Sequence, residues 1–394
     1  VLIEGQGDPG DLASFHADGY LKLDDFNISK PLVRIIKPLL PALFANLSEF
    51  QANASGEVWI DFHPGSALDF EGSLAVSEIP LDWLADVPPV RDIRTDLTGW
   101  YTPGSDWGAR LQGFDFSWSD AEIEPLDLVF NQRLGSRWQD FDLSFNHLDL
   151  TVLTDLLGQS RIPSEQILAI IDQMRPQGEL DALTLGHNEQ GYFASMNLDA
   201  VDMQPYKGMP GVRGLSGYVE VNQQGGLFHV ADNDGFDVFF PKIYRDYLTV
   251  DSASGTTYMD WQAETETLTL RSEPVVASMD IGSSLIMYSV KQQLPAKGRP
   301  PEFNLVVGGR DLDAAYGNKY LPYKLPKNLS NWLETAVLGG NVKEFGLLFR
   351  SGPPRGDRTA RTTQILFDME DTDINYHPDW LGMRDLDTLV LVDD

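Results

Sequence analysis

There is no cysteine among the 394 residues. Disulfide frameworks, thiolate metal sites and cysteine nucleophiles are therefore excluded, and freedom from thiols is compatible with an oxidising compartment. Histidine is scarce, with six copies scattered along the chain. Long apolar runs are missing too. The most apolar stretch, Pro38 to Ala45, is interrupted by proline and is far shorter than the ~20 residues of a membrane-spanning helix. Basic residues are outnumbered, 29 against 59 acidic ones, for a net charge of -30. That balance repels phosphate backbones and anionic membrane surfaces, so nucleic-acid binding is disfavoured. No P-loop, nucleophile elbow or dinucleotide fingerprint occurs, and the composition calls for no cofactor. No signal-peptide pattern opens the chain, which starts at Val1. Val1-Leu2-Ile3 and Leu389-Val390-Leu391-Val392 read as strands cut in mid-course, so an internal piece of a longer protein is expected.

What is present is alternation. Val58, Ile60 and Phe62 alternate with Trp59 and Asp61, and Phe114, Phe116 and Trp118 with Asp115 and Ser117. Phe141, Leu143 and Phe145 alternate with Asp142 and Ser144. Period two gives each strand one apolar face and one polar, acidic face. With 42% hydrophobic residues the chain has enough apolar surface for a core, and its length suggests two or three domains unless it is built from repeats. Strand signals number about twenty against three short helices, so the fold is mainly β. Either two sheets pack on one another, or the apolar face lines a groove for an apolar ligand; the pattern leaves both open.

The helices are expected near Pro41, over Pro163–Met174, and from Leu325 to Val337, the last ended by Gly339-Gly340. Each is followed by a glycine and a strand: Gly56-Glu57-Val58, Gly178-Glu179-Leu180 and Gly340-Asn341-Val342. A second echo links Pro89-Val90-Arg91 with Gly99 to Gly211-Val212-Arg213 with Gly217. Uneven spacing marks degenerate repetition, with tentative units 1–160, 161–325 and 326–394.

Three constellations invite a chemical reading. His16-Ala17-Asp18, His147-Leu148-Asp149 and His377-Pro378-Asp379 each put a carboxylate beside a histidine. Catalysis or metal binding needs convergence that scattered histidines do not display, so solvated strand and turn positions are expected. Asp232-Asn233-Asp234-Gly235 begins like a calcium loop but lacks a closing glutamate, which favours a hairpin turn. Arg350, Arg355, Arg358 and Arg361 form a basic island, expected on an exposed loop with a turn at Gly352-Pro353-Pro354.

The order Tyr320-Leu321-Pro322, Trp332-Leu333, Gly339-Gly340-Asn341-Val342 and Tyr376…Pro378-Asp379-Trp380 resembles the YhdP branch of the AsmA-like envelope proteins. Met209-Pro210-Gly211…Gly214-Leu215-Ser216-Gly217 with Phe239-Phe240-Pro241 is similar to the preceding segment of that family. Leu381, where the family tends to proline, and the arginine-rich loop depart from its pattern. The resemblance implies one elongated, strongly curved antiparallel sheet forming an open hydrophobic groove, with a few short amphipathic helices. It also implies a non-enzymatic segment of a periplasmic protein anchored in the inner membrane, carrying phospholipids toward the outer membrane. Phospholipids are then the expected partners, with membranes reached through parts outside this chain and other envelope proteins as possible contacts. Under this reading the groove residues are Phe62, Phe70, Phe116, Leu143, Phe145, Leu270, Leu305, Phe349 and Phe367. The rival readings are a carbohydrate-active or carbohydrate-binding β-protein, and a structural sandwich without ligand.

Overall fold

The computed structural model describes residues 1–11, 13–29, 52–65, 67–81, 88–118, 123–133, 140–160, 165–207, 209–293, 300–314, 319–320, 323, 331, 335, 337–355, 358–375, 377, 379 and 381–393. Among these, 22 strands belong to one antiparallel sheet, accompanied by two α-helices and one 3-10 turn. The chain divides into two compact units, Val1–Asp172 with Glu179–Asn197, and Gln173–Gly178 with Leu198–Asp394. The helices expected near Pro41 and over most of Leu325–Val337 lie outside the described residues, as do Tyr376, Pro378 and Trp380.

The first unit is a meander. Strands β1 (Leu2–Gln6), β2 (His16–Asn27), β3 (Asn53–Phe62), β4 (Leu68–Ile79) and β5 (Val90–Thr102) are followed by β6 (Asp106–Trp118), β7 (Leu126–Arg133) and β8 (Phe141–Asp149). Each pairs antiparallel with the next. Helix α1 (Leu150–Ser160), which periodicity had not revealed, and helix α2 (Glu165–Met174) precede β9 (Gln177–Asn188), which returns to pair with β8. Asp149 ends β8 and starts α1: its Oδ1 accepts the amides of Thr151 at 2.6 Å and Val152 at 3.0 Å, an N-terminal cap.

In the second unit β10 (Gly191–Met203), entered from the first, leads into β11 (Gly211–Asn222). One half of β11 pairs with β12 (Gly225–Asp232) and the other with β13 (Phe236–Phe239). Then β14 (Leu248–Val250) pairs with β13, and β15 (Ser252–Gln262) with β12. Strands β16 (Thr267–Ser272) and β17 (Val275–Met279) share β15 and are both covered by β18 (Gly282–Gln293). A plain meander follows through β19 (Glu302–Asp313), β20 (Val337–Arg355), β21 (Arg358–Ile374) and β22 (Met383–Asp393). With 19 residues, β20 is about 60 Å of strand.

Strand β20 corrects one expectation. It begins at Val337, so Gly339 and Gly340 lie inside a strand and do not cap a helix. At Gly340 φ is +129°, and a Cβ there would come within 2.7 Å of the Thr372 backbone; close approach of a neighbouring strand, not helix termination, requires the glycine. Gly352-Pro353-Pro354 is likewise the irregular end of β20 and not a turn.

A recurring device runs through both units. Asp25, Asp92, Gly113 and Ala182 in the first, and Ala200, Gly214, Asp311, Asp371 and Asp385 in the second, all have φ between +45° and +70°. Each occupies the third place of a short pattern, apolar or glycine, then polar, then this residue, then mostly apolar, as in Val90-Arg91-Asp92-Ile93 and Val212-Arg213-Gly214-Leu215. Register shifts at Leu23/Phe26, Arg91/Arg94, Leu111/Phe114 and Met369/Thr372 show that the extra residue is a β-bulge. The bulge lets two apolar residues three apart share one face. The displaced amide is then accepted by a side chain on the adjoining strand: Gly113 by Asp127 at 2.8 Å, Ala200 by Ser216 Oγ at 3.1 Å, Gly214 by Asp202 at 2.8 Å. Beside these bulges sit buried side chains, including Ile93, Leu180, Leu183, Val201, Val212, Leu215, Leu312 and Met369.

Candidate functional site

Paired residues of an antiparallel sheet project to the same side, so the registers trace each face without ambiguity. In the first unit one line of partners runs Gly19, Ile60, Phe70, Gly99, Ala109, Phe130, Leu143, Leu185. The parallel line is Leu21, Val58, Gly72, Leu97, Leu111, Leu128, Phe145, Leu183. Every member is apolar or glycine across eight strands. The Phe70 ring occupies the space a Gly99 side chain would need, 2.2 Å from where its Cβ would be. On the opposite face the partners are Asp18, Asp61 and Asp69, then further on Asn131 and Asp142, whose side chains are hydrogen-bonded at 2.7 Å.

The second unit repeats the arrangement. Met259, Leu270, Val290 and Phe303 form one line, and Ile286, Val307, Leu347, Ile365 and Val392 another. Leu305 pairs with Phe349, and Phe345 with Phe367, whose rings lie 5.2 Å apart. Arg361 stands over the Phe349 ring at 5.4 Å, so the basic island is divided: Arg361 neighbours the apolar line, while Arg350 donates to Asn304 on the other face at 3.0 Å.

Of the predicted groove residues, Phe62, Phe70, Leu143 and Phe145 therefore share one face of the first unit, and Leu270, Leu305, Phe349 and Phe367 one face of the second. All eight are half-buried. Phe116 is on the same face of the first unit but beyond the bulge, packed with Phe114 against the buried cluster of Ala52, Ala54, Val76 and Ile93. Each apolar face thus has two zones. Beside the bulges it is closed by side-chain packing. Along the middle of the strands it stays partly open, and Leu185 is 39% exposed. A contiguous open apolar zone of this kind can bind an apolar partner through the hydrophobic effect alone, with no directional chemistry.

The remaining constellations resolve by geometry. Asp232, 3% exposed, accepts the amides of Asp234, Gly235 and Ser216 at 3.0, 2.9 and 3.0 Å. The expected hairpin turn is corrected: β12 and β13 on either side both pair with β11, so the stretch is a side-chain-capped break within one edge of that pairing. His147 lies 3.1 Å from Asp181 and not beside Asp149. The hydrogen bond to Asp181, with Glu179 nearby, raises its pKa against the opposing effect of burial. Asp280, at the β17–β18 turn, accepts from Lys319 Nζ at 2.8 Å and from the Tyr320 hydroxyl. These two bonds hold its carboxyl below the ordinary range, while burial first, and then the bond to Asp280, raise the Tyr320 phenol. Tyr323 reaches Pro241 and Ile243 through its hydroxyl and amide, both at 3.0 Å. Tyr320 and Tyr323 thereby anchor their segment to two turns of the second unit. The expectation that the histidines stay apart fails at one place, where His16 and His63 come together across β2 and β3.

Sequence reasoning missed the bulges, although the second echo, 89–91 against 211–213, fell on two of them. The recoverable signal was an apolar-polar-Asp/Gly/Ala-apolar break in the alternation. Among protein families, the one described as YhdP protein matches residues 3–394. No curated protein and no solved structure matches the chain.

Proposed function

The chain belongs to the YhdP family, and from that premise we propose that it is a non-enzymatic segment of a periplasmic bridge carrying phospholipids between the inner and outer membranes. The observation that carries this reading is the unbroken apolar line from Ile60 to Leu185, half-open along its middle and backed by an acidic face. An acyl chain laid on it gains about 0.8 kcal/mol for each methylene removed from water. Because neighbouring positions are chemically alike, a lipid moving from strand to strand meets no deep well. Its head group stays in water, so no bond has to be made or broken. Among the described residues no helix is long and apolar enough to cross a membrane; in this proposal the inner-membrane anchor and the membrane contacts belong to parts outside this chain, as do contacts with other envelope proteins.

The test is photo-crosslinking in the bacterial envelope, with a photoreactive residue at Phe145 or Phe349, followed by mass spectrometry of lipid adducts. Phospholipid adducts are expected at both positions and not at Asp142 or Glu344, which face the other way. Equal labelling of the two faces, or no lipid at Phe145 and Phe349, overturns the reading.

A further inference from the structure

His16 and His63 stand opposite one another at the ends of β2 and β3, their ring centroids 6.0 Å apart. Asp61 lies between them. Its Oδ1 is 3.5 Å from His16 Nδ1, and its Oδ2 is 3.8 Å from His63 Nε2. Asp69, brought alongside by the β3–β4 hairpin, is 2.8 Å from His63 Nε2, and Asp18 is 3.7 Å from His16 Nε2. Donor atoms of His16, Asp61 and His63 all fall within 4.8 Å of one another. All five side chains project from the acidic face, because 16 and 18, and 61 and 63, are two residues apart and 61 pairs with both 18 and 69.

An independent observation points into this cluster. Asp61 Oδ1 is closed to solvent yet accepts no hydrogen bond, and its 3.5 Å separation from His16 Nδ1 exceeds the usual bond length. Two donors each about 2.1 Å from a tetrahedral zinc ion are themselves roughly 3.4 Å apart. The spacings to Asp61 are close to that edge. Two imidazoles with carboxylates suit zinc and its neighbours in the transition series, not the all-oxygen preference of calcium or magnesium.

We propose that His16, Asp61 and His63 bind a divalent transition-metal ion, with Asp69 as a fourth ligand and Asp18 flanking, and that the ion clips β2, β3 and the β3–β4 hairpin together on the acidic face. On binding, His63 Nε2 gives up its proton and its 2.8 Å hydrogen bond to Asp69, so that Asp69 joins the ion. The apolar face is left untouched, so the site stands or falls independently of lipid binding.

Titration calorimetry of the chelator-treated 394-residue chain with zinc chloride tests the proposal. One ion per chain is expected, with a higher melting temperature in its presence and affinity that falls on acidification, since the ligands must be deprotonated. H16A and H63A each weaken zinc by roughly 100-fold and D69N by 10- to 100-fold, as for losses in and around a metal's ligand shell; D142N, on the same face but remote, leaves it unchanged. If an alanine variant does not fold, histidine modification by diethyl pyrocarbonate replaces it: zinc should protect His16 and His63 but not His187 or His229. Absence of saturable zinc binding, binding indifferent to H16A and H63A, calcium binding as tight as zinc, or uniform protection of all histidines overturns the proposal.

Discussion

Single residues in this protein do their work at bulges and turns. Asp232 illustrates how much can rest on one side chain. Its buried carboxylate holds three backbone amides, two just after it in the chain and one from β11. Asp232→Ala leaves those donors without a partner in a site closed to water, and each such loss costs 1–3 kcal/mol alone, less if water enters. We expect Asp232→Ala to lower stability by about 3 kcal/mol, read as a fall in the urea midpoint at unchanged slope. His147 makes a pH-dependent contribution of the opposite sign to a carboxylate. Its raised folded-state pKa means that its bond to Asp181 stabilises the fold fully below the unfolded-chain value of about 6.5. That contribution disappears as pH rises through the raised folded-state value. A titration of the His147 imidazole proton by NMR should give a midpoint above that of an exposed histidine, and Asp181→Asn should bring it down.

At the scale of elements, the bulges explain how strands with a simple alternating pattern acquire a packed rim and an open middle. Without the extra residue, Ile93 would fall on the face opposite Val90, since one step of register exchanges the two sides of a strand. With it, both belong to the same packed cluster. The conformation needed is left-handed, which alanine adopts at a cost of roughly 1 kcal/mol or more and glycine adopts freely. Ala182→Gly and Ala200→Gly, at φ of +50° and +47°, should therefore raise stability by up to about 1 kcal/mol, contrary to the usual effect of glycine in a strand. Lower denaturation midpoints for both variants would show that the backbone there is not held as described.

For the whole molecule, the division between closed and open apolar surface predicts two kinds of response to the same substitution. Val212→Asp places a charge inside a packed cluster and should cost about 4 kcal/mol, because the carboxylate is desolvated without a partner. Leu128→Asp and Leu305→Asp, half-buried on the open zone of their units, should cost far less, since the charge keeps contact with water. If the chain carries phospholipid as proposed, wild-type protein is expected to retain lipid on purification and both variants to lose most of it, measured as lipid phosphorus per mole of protein. If melting falls equally for all three, the two zones are not distinct; if lipid content stays the same for the latter two, the open zone is not where lipid lies.

The mainly β class, the two-faced strands and most of the residues on the apolar face followed from local pattern, because a period of two is written directly into Phe62, Phe70, Leu143, Phe145, Leu270, Leu305, Phe349 and Phe367. Family membership was legible from the order of short motifs near the end of the chain, which a 3–394 match bears out. Three things were beyond that reach. Gly339-Gly340 as a strand crossing and not a helix end, Phe116 as part of a packed rim, and the meeting of His16 with Asp61 and His63 each depend on which strand lies beside which, and in what register. Alternation constrains a strand's faces but not its neighbours. Only hydrogen-bonded pairing across dozens of intervening residues brings position 16 opposite position 63, and no local preference encodes that distance.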